Sequence, residues 1–252
     1  MIKLENYEVT GWEHAIRGMR NPMNSWEKSD SKTINAVLKS EEVVAGVNEY
    51  RYEPCEPYVS VGPNDMELMM KLRNAGTDHR KFMRMITVYV DITAPLYWWK
   101  EFDTYKVGTV ANSCSTMHKI HEKEFTLEDF SCEHLMHIFD DMSDVPLING
   151  VCGDCSDCTY TPSGILTCWT IPMLNKCRER FLETKNKKYW WQMIQLLPSS
   201  YNQKRTVMLN YEVLTNIYKS RKEHKLDEWR ELCKWIEELP YSEIITGDEK
   251  HD

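Results

Sequence analysis

The order of hydrophobic patterns along the chain is the feature that most limits its fold. Strand-like alternation comes first, at residues 2–9, 42–52 and 83–92. Helical periodicity follows in the last third, at residues 171–184, 187–197, 206–221 and 226–239. Strands that come first and helices that come later are typical of an α+β protein. We therefore predict an α+β fold with a central β-sheet flanked by helices.

The remaining segments carry the signals of short elements. Asn64 or Asp65 can cap a helix that ends before Gly76. Thr93 can cap a further helix that reaches Tyr105. Short helices are also predicted at residues 12–19 and 127–139, and loops at residues 20–40 and 143–168.

The composition limits the class of protein. With 252 residues and 42% hydrophobic side chains, the chain can form one large domain or two small ones. Because no repeat or low-complexity linker interrupts it, we predict a single domain over residues 1–252. The formal charge of −8 argues against a protein that binds duplex nucleic acid through Lys and Arg.

The N-terminal residues and the hydropathy indicate where the protein works. No apolar run reaches the roughly 18 residues of a membrane span. The first residues also lack the apolar region of a signal peptide. We therefore expect a cytoplasmic protein with reduced thiols and no membrane partner.

Arg221 ends the helix predicted over residues 206–221. Asn210, Leu214, Ile217 and Arg221 follow at spacings of four, three and four residues, so they share one helical stripe. An arginine on an apolar stripe is drawn toward the core, where an unpaired charge is costly. Two interpretations stay open. The guanidinium meets a carboxylate or solvent at the end of the helix, or a ligand supplies its partner.

A cysteine cluster lies in a segment of about residues 120–169. Cys152, Cys155 and Cys158 follow a C-x-x-C-x-x-C pattern, and Cys168 comes ten residues later. Thiolates at this spacing suit a tetrahedral zinc site. Free thiols in an inserted loop are the alternative. We predict a Cys-rich insertion that either holds Zn or carries reduced thiols.

The C-terminal part of the chain carries the more specific of two motifs. Leu197 and Pro198 are followed by Asn210, Asn216 and Arg221. This block resembles that of the flavin-dependent thymidylate synthases, which read Leu-Pro and then Asn-x-Arg-x-Leu-x-x-Phe-x-x-x-Arg. The spacing from Pro198 to Arg221 matches the family pattern without a gap.

A second block, between residues 91 and 119, resembles the same family less closely. The family has Ala-Pro, a helix with Arg-Gln and Arg-His-Arg, and then Ser-x-Arg. The positions of this chain that match those motifs are Glu101, Lys106, Thr109, Asn112 and Ser115. In total, the similarity covers residues 62–119 and 189–233.

The resemblance implies a nucleotide-modifying enzyme. In that family a flavin, FAD, takes hydride from NADPH, and methylenetetrahydrofolate supplies a one-carbon unit. The acceptor is C5 of a pyrimidine deoxynucleotide, deoxyuridylate (dUMP). The resemblance also implies a homotetramer with its sites at subunit contacts.

The resemblance also assigns roles to individual residues. Arg221 would be the catalytic residue that holds and polarises the pyrimidine ring, because a planar guanidinium can bond a carbonyl and stabilise developing negative charge. The other substrate contacts would be Ser115 at the phosphate, Glu101 and Lys119. The flavin contacts would be Lys106, Thr109, Asn112, Asn210 and Asn216.

Several cationic groups of the family pattern are replaced in this chain. The replacing residues are Thr104, Tyr105, Met117, Ile194 and Glu212. Each charge-assisted hydrogen bond contributes about 1.5–3 kcal/mol, so flavin and substrate must be held differently. We hypothesise that cations at new positions compensate for the lost ones. The candidates are Lys100, His118, Lys119, Lys204 and Arg205.

Three functions therefore stay open. The first is a divergent flavin-dependent transferase that adds a one-carbon group at pyrimidine C5. The second is a non-catalytic nucleotide-binding protein on the same fold that has lost flavin. The third is a structural or interaction protein that is stabilised by zinc and binds no small ligand. The presence of Asn210, Asn216 and Arg221 on one well-matched block favours the enzyme.

Overall fold

A computed structural model describes the backbone of residues 2–44, 47–137, 145–152 and 155–247, and the side chains in these ranges outside residues 40–52 and 148–160. The strands are β1 (Lys3–Thr10), β2 (Lys32–Val44), β3 (Val47–Ser60), β4 (Thr87–Pro95), β5 (Val110–Ser113), β6 (Ile148–Cys152), β7 (Cys155–Tyr160) and β8 (Asn202–Asn210). The helices are α1 (Trp12–Arg20), α2 (Pro63–Asn74), α3 (Leu96–Phe102), α4 (Pro162–Gly164), α5 (Ile171–Thr184), α6 (Lys187–Leu196), α7 (Tyr211–Arg221), α8 (Asp227–Glu237) and α9 (Glu243–Thr246). Within the described ranges, no helix is both long enough and apolar enough to cross a membrane.

The strands form one larger sheet and two hairpins. Strands β1, β4, β8 and β5, in that order, make a four-stranded sheet. β2 and β3 pair antiparallel with Lys32 opposite Ser60, and β6 and β7 pair antiparallel with Ile148 opposite Tyr160. This mixture of helices and strands confirms the coarse fold class predicted from the sequence.

The chain divides into two compact units, each built from several segments. Unit 1 consists of Met1–Asn6, Val90–Lys106 and Ala111–Val207. Its first apolar cluster lies on α3, where the rings of Trp98 and Trp99 are buried and their centroids lie 4.9 Å apart. A second cluster forms around α5 and α6, which bury Leu174 and Met193 against Phe125. Large aromatic side chains therefore provide much of the core of this unit.

Unit 2 consists of Tyr7–Tyr89, Val107–Val110 and Met208–Asp252. The ring of Trp12 packs edge-on against Tyr211 and Tyr241, with centroids 5.4 and 5.0 Å away. α8 adds the fully buried side chains of Trp229 and Ile236. The single domain predicted over residues 1–252 stays a prediction.

Strong periodic patterns predicted the regular elements well. β1 and α1 lie where the sequence places them, and α5 has the predicted bounds Ile171–Thr184. α6 and α8 differ from the predicted bounds only at their ends.

The helix predicted over residues 206–221 is wrong in its first five residues. Strand β8 continues to Asn210, and α7 begins only after it. Asn210 therefore does not share a helical stripe with Leu214. The strand forms because Val207 and Leu209 are buried while the residues between and beside them are more exposed, which is the period of a β-strand.

The helix predicted over residues 127–139 is also wrong in the part that the structure describes. Only Leu127–Asp129 forms a helical turn, of the 3-10 type. Phe130 is drawn instead into a β-bridge with Tyr201. Residues 138 and 139 lie outside the described residues.

Two predicted loops contain regular structure. β2 begins at Lys32, inside the loop predicted over residues 20–40. The loop predicted over residues 143–168 contains the β6–β7 hairpin and the start of a π-helical segment, Ile165–Thr170. Polar side chains on a hairpin hide the alternation on which a strand prediction depends.

Two predicted helix caps are wrong. The carboxylate of Asp30 accepts hydrogen bonds from the backbone N–H groups of Asn64 and Asp65, at 3.0 and 3.1 Å, so a residue distant in sequence stabilises the start of α2. Thr93 lies inside β4, and the residue that precedes α3 is Pro95.

Candidate functional site

The start of α7 is defined by Asn210, which ends β8 in an extended conformation. Its side-chain Oδ1 accepts a hydrogen bond from the backbone N–H of Val213 at 3.0 Å. This bond satisfies one of the N–H groups that a helix leaves without an internal partner in its first turn. Strand therefore turns into helix without a loop, and the amide of Asn210 has a fixed orientation.

Gly108 and Thr109 belong to the same unit. Gly108 has φ of +80°, and a Cβ atom placed on it would lie 2.9 Å from Nδ2 of Asn210. Only glycine allows both the backbone conformation and this close approach. Next to it, the hydroxyl oxygen of Thr109 is buried and has no hydrogen-bond partner among the described residues. A buried hydroxyl in this state is a candidate donor or acceptor for a ligand.

Arg80 forms an ion pair with Glu212 in the first turn of α7. Its Nε lies 3.1 Å from Oε1 and 2.9 Å from Oε2 of that carboxylate, and the Arg80 side chain is 15% exposed. Nη2 of Arg80 lies 3.5 Å from Oδ1 of Asn216, which is exposed on the same helix. The glutamate that replaces a family arginine thus holds another arginine, from a segment more than a hundred residues earlier.

Arg221 is the last residue of α7 and is half-buried. The carbon atom at the centre of its guanidinium lies 4.5 Å from the ring centroid of Trp229 on α8. A cation over an aromatic face gains roughly 0.5–1 kcal/mol or more and leaves its N–H groups directed along the edge of the guanidinium plane. The core face of α7 is formed by Leu214 and Ile217, so Arg221 stacks at the border of the core and does not enter it.

Unit 1 carries the other residues that the sequence selects. Ser115 is exposed, and its Oγ accepts hydrogen bonds from the backbone N–H groups of Met117 and His118 at 3.2 and 2.8 Å. Lys119 is exposed and forms an ion pair with Glu122. The three remaining residues are Glu101, which is half-buried, and Lys106 and Asn112, which are exposed.

Two cations proposed as replacements are bound to carboxylates of unit 1. Arg205 stacks 4.1 Å from the ring centroid of Trp99, and its Nη1 lies 2.7 Å from Asp103 Oδ1. Lys204 lies 3.1 Å from Asp91 Oδ2. Because hydrogen bonds from Thr206 and other neighbours favour its charged form, the pKa of Asp91 falls to about 2. These cations are already neutralised by the protein.

Comparison with known proteins gives the fold. No protein-family model and no curated sequence matches the chain. A solved structure of the flavin-dependent thymidylate synthase ThyX from Helicobacter pylori, complexed with FAD and dUMP, matches with a TM-score of 0.56 and 15% identity over 97% of both chains. The chain adopts the flavin-dependent thymidylate synthase fold. A second structure of the H. pylori protein with FAD and dUMP gives a TM-score of 0.58 and 16% identity over 99% of both chains.

A related solved structure supports the same thymidylate synthase fold. The UMP/dUMP methylase PolB from Streptomyces cacaoi, bound with 5-Br UMP, matches with a TM-score of 0.50 and 11% identity over 94% of this chain and 87% of that chain. The resemblance seen in two short sequence blocks therefore extends to the fold of nearly the whole chain.

Three cysteines of the cluster, Cys152, Cys155 and Cys158, lie on the β6–β7 hairpin. Cys152 lies opposite Cys155 in the β6–β7 pairing, and Cys158 lies opposite Gly150. The side chains of these three cysteines lie outside the described residues, whereas Cys168 is exposed and forms no disulfide with a described residue. Among the residues that the structure describes, no group of three potential ligands could hold a metal ion. Zinc binding and the Cys-rich insertion stay predictions.

The structure adds Gly108, and the contact between Arg80 and Glu212, to what the sequence selects. From the sequence, His79, Arg80 and Lys81 were interpreted as a solvated turn, with contact to a phosphate as the alternative. In the structure, Arg80 instead pairs with Glu212, a buried carboxylate that requires a donor. For Gly108, nothing in the sequence except its residue type indicated a role in this site.

Proposed function

We propose that this chain is a divergent flavin-dependent transferase that adds a one-carbon group at C5 of a pyrimidine deoxynucleotide. The observation that carries the proposal is the extent of the structural match. Two structures of ThyX with FAD and dUMP match 97% and 99% of this chain, and a UMP/dUMP methylase matches 94%. The residues Asn210, Asn216 and Arg221, at the spacing of the family motif, support the same proposal.

The described residues of unit 2 fit a flavin in the type of groups they offer. A flavin ring presents carbonyl oxygens and ring nitrogens, which amide and hydroxyl groups can meet as donors and acceptors. The amides of Asn210 and Asn216 and the unpartnered hydroxyl of Thr109 are groups of this kind. When bound, FAD would supply the hydride transfer. We assign Lys106 and Asn112 to the same cofactor on the resemblance.

Arg221 is the residue that we assign to the pyrimidine. Its stack on Trp229 restrains the plane of the guanidinium. A restrained guanidinium can donate two hydrogen bonds to a pyrimidine carbonyl and stabilise negative charge that develops on the ring during attack at C5. This role depends on charge and on planar geometry, so lysine should replace it poorly.

The nucleotide phosphate is assigned to residues of unit 1. The Ser115 hydroxyl uses its oxygen as acceptor for two backbone N–H groups, which leaves its proton for a phosphate oxygen. Lys119 adds a charge that can exchange Glu122 for the ligand, because an exposed ion pair contributes little. Glu101 is assigned to the substrate on the resemblance.

One observation favours the alternative of a nucleotide-binding protein that has lost flavin. Arg80, Lys204 and Arg205 are each neutralised by a carboxylate of this protein. A pyrophosphate is stabilised by net positive charge, and these pairs supply none. The two functions therefore differ in whether FAD binds.

The decisive experiment is the absorption spectrum of the purified protein. We expect a flavin spectrum as isolated or after incubation with FAD, and release of FAD on denaturation. A protein that stays colourless after incubation with FAD but binds dUMP in a calorimetric titration, with an affinity that Arg221→Ala lowers, supports the alternative. A protein that binds neither ligand contradicts both functions.

Arg221 can then be tested by replacement. We expect Arg221→Ala to weaken dUMP binding about tenfold to a hundredfold, since a hydrogen bond to a charged group contributes about 1.5–3 kcal/mol. Arg221→Lys should restore only part of this loss. The control is Arg230→Ala on α8, whose guanidinium pairs with Asp227 and which has no assigned role. Equal effects of Arg221→Ala and Arg230→Ala would contradict the assignment.

A further inference from the structure

A cavity of about 370 Å³ in unit 2 lies between α1 and the base of the β2–β3 hairpin. Its volume is in the range of small-molecule sites. The side chains that matter to its chemistry are Arg17, Arg20, Trp26 and Lys32, with Ile16 and Val59 as apolar walls. None of these residues belongs to the site proposed above.

Arg20 is the buried charge of this cavity. Its side chain is 4% exposed, and its Nε donates to Asp65 Oδ1 at 2.7 Å. Its Nη1 donates to the carbonyl oxygen of Ser25 at 3.3 Å, whereas Nη2 has no hydrogen-bond partner among the described residues. Because Arg20 lines the cavity, we assign this nitrogen as the donor to a ligand there.

Two further cations lie on the cavity wall. Arg17 and Lys32 are both exposed, and neither forms an ion pair with a described carboxylate. Among the described residues of the wall, Glu13 is the one acid, and it accepts a hydrogen bond from Thr33. With Arg20 neutralised by Asp65, the charges of Arg17 and Lys32 exceed that of Glu13. The cavity therefore attracts an anion.

Trp26 provides an aromatic surface. Its side chain is about half exposed, yet its indole N–H donates to Asn21 Oδ1 at 2.8 Å, which fixes the ring. A fixed, exposed indole can stack on an aromatic ligand without first losing its own rotational freedom. A stacking contact tolerates any base, because every base has a π-face.

We propose that this cavity is a second ligand site, which binds an aromatic compound carrying a phosphate group, in the size class of a mononucleotide. The ring stacks on Trp26 between the apolar walls. The phosphate accepts hydrogen bonds from Nη2 of Arg20 and is neutralised by Arg17 and Lys32. Because no side chain of the cavity is assigned to the edge of the ring, purine and pyrimidine nucleotides bind alike.

The test uses calorimetric titration of the 252-residue protein with AMP, adenosine and inorganic phosphate. AMP should bind at least about tenfold more tightly than adenosine or phosphate, because only AMP uses both the cations and the indole. Lys32→Met, Arg17→Met and Trp26→Leu should each weaken AMP about tenfold. Lys28→Met is the matched control, since Lys28 is an exposed cation near Trp26 that does not line the cavity.

The circular dichroism spectrum and the urea midpoint of each variant establish that it is folded. Loss of AMP affinity in the three cavity variants, with the control unchanged, supports the proposal. AMP binding that none of the three variants weakens places the ligand elsewhere and overturns the proposal. Phosphate that binds as tightly as AMP, with no effect of Trp26→Leu, also overturns it, since the site would then recognise a simple anion.

Discussion

The buried ion pair between Arg20 and Asp65 makes a strong prediction about stability. The Asp65 side chain is fully buried, and the Arg20 side chain is 4% exposed. The carboxylate accepts five hydrogen bonds, one from Arg20 and the others from the segment that contains Ser29, Asp30 and Ser31. Asp65→Ala removes all five acceptor contacts and leaves a buried guanidinium without its counter-charge.

The expected loss is large compared with the stability of an ordinary protein. Breaking a buried pair by removing one partner costs about 3–5 kcal/mol, whereas whole proteins are stable by about 5–15 kcal/mol. The assay is urea unfolding followed by circular dichroism near neutral pH. The control is Glu183→Ala, which removes a solvent-exposed pair with Arg180 and should change the free energy of unfolding by less than about 1 kcal/mol.

The loss should also depend on pH. Burial raises the pKa of the Asp65 carboxyl, but hydrogen bonds from Ser31, Ser29 and Arg20 outweigh burial, so the folded pKa lies below its ordinary value. A carboxyl with a lowered folded pKa stabilises the protein above its unfolded pKa of about 3.9 and loses this contribution as the pH falls through the folded pKa. The difference between wild type and Asp65→Ala should therefore shrink in acid. A difference as small as that of Glu183→Ala, or one that grows in acid, would refute the reasoning.

Three further predictions follow from single features of the structure. Cys114 is exposed whereas Cys233 is buried with its pKa raised to about 11 by burial, so mass spectrometry should find N-ethylmaleimide on Cys114 in the native protein and on Cys233 only after unfolding. Asp91 should titrate near pH 2 by NMR, and Thr206→Val should raise that pKa because it removes the strongest hydrogen bond to the carboxylate. Gly108→Ala should lower the free energy of unfolding by about 1–2 kcal/mol, since a side chain is strained at positive φ, and an unchanged urea midpoint would contradict this.

The sequence predicted the elements whose patterns are local. α1, α5 and α8 have apolar faces that repeat at helical spacing, and their bounds follow within a few residues. β8 was missed because its residues include Lys, Arg, Gln and Met, which favour helices, and because Asn210 also matches the spacing of the following helix. Its strand conformation is imposed by pairing with β4 and β5, which no local pattern contains.

The candidate site was predictable only as far as single residues match a motif. Asn210, Asn216 and Arg221 could be selected because they follow one another along one element. The pair of Arg80 and Glu212 could not, because its members are 132 positions apart. A cation is available to a ligand only if no carboxylate of the protein already pairs with it. Such pairs form between segments that are distant along the chain, so the spacing of residues in a motif does not reveal them.

The isolation of the β2–β3 hairpin has a consequence for self-association. Within the described residues the two strands form a sheet of their own, so each has an outer edge that could pair with a strand of another chain. The exposed side chains of Val37 and Leu38 on β2 would favour such pairing. On β3, Pro54 and Pro57 lack the N–H that an added strand requires. The β3 edge is therefore less suited to an added strand than the β2 edge, so an edge-to-edge contact through β2 favours a closed pair over an open fibre.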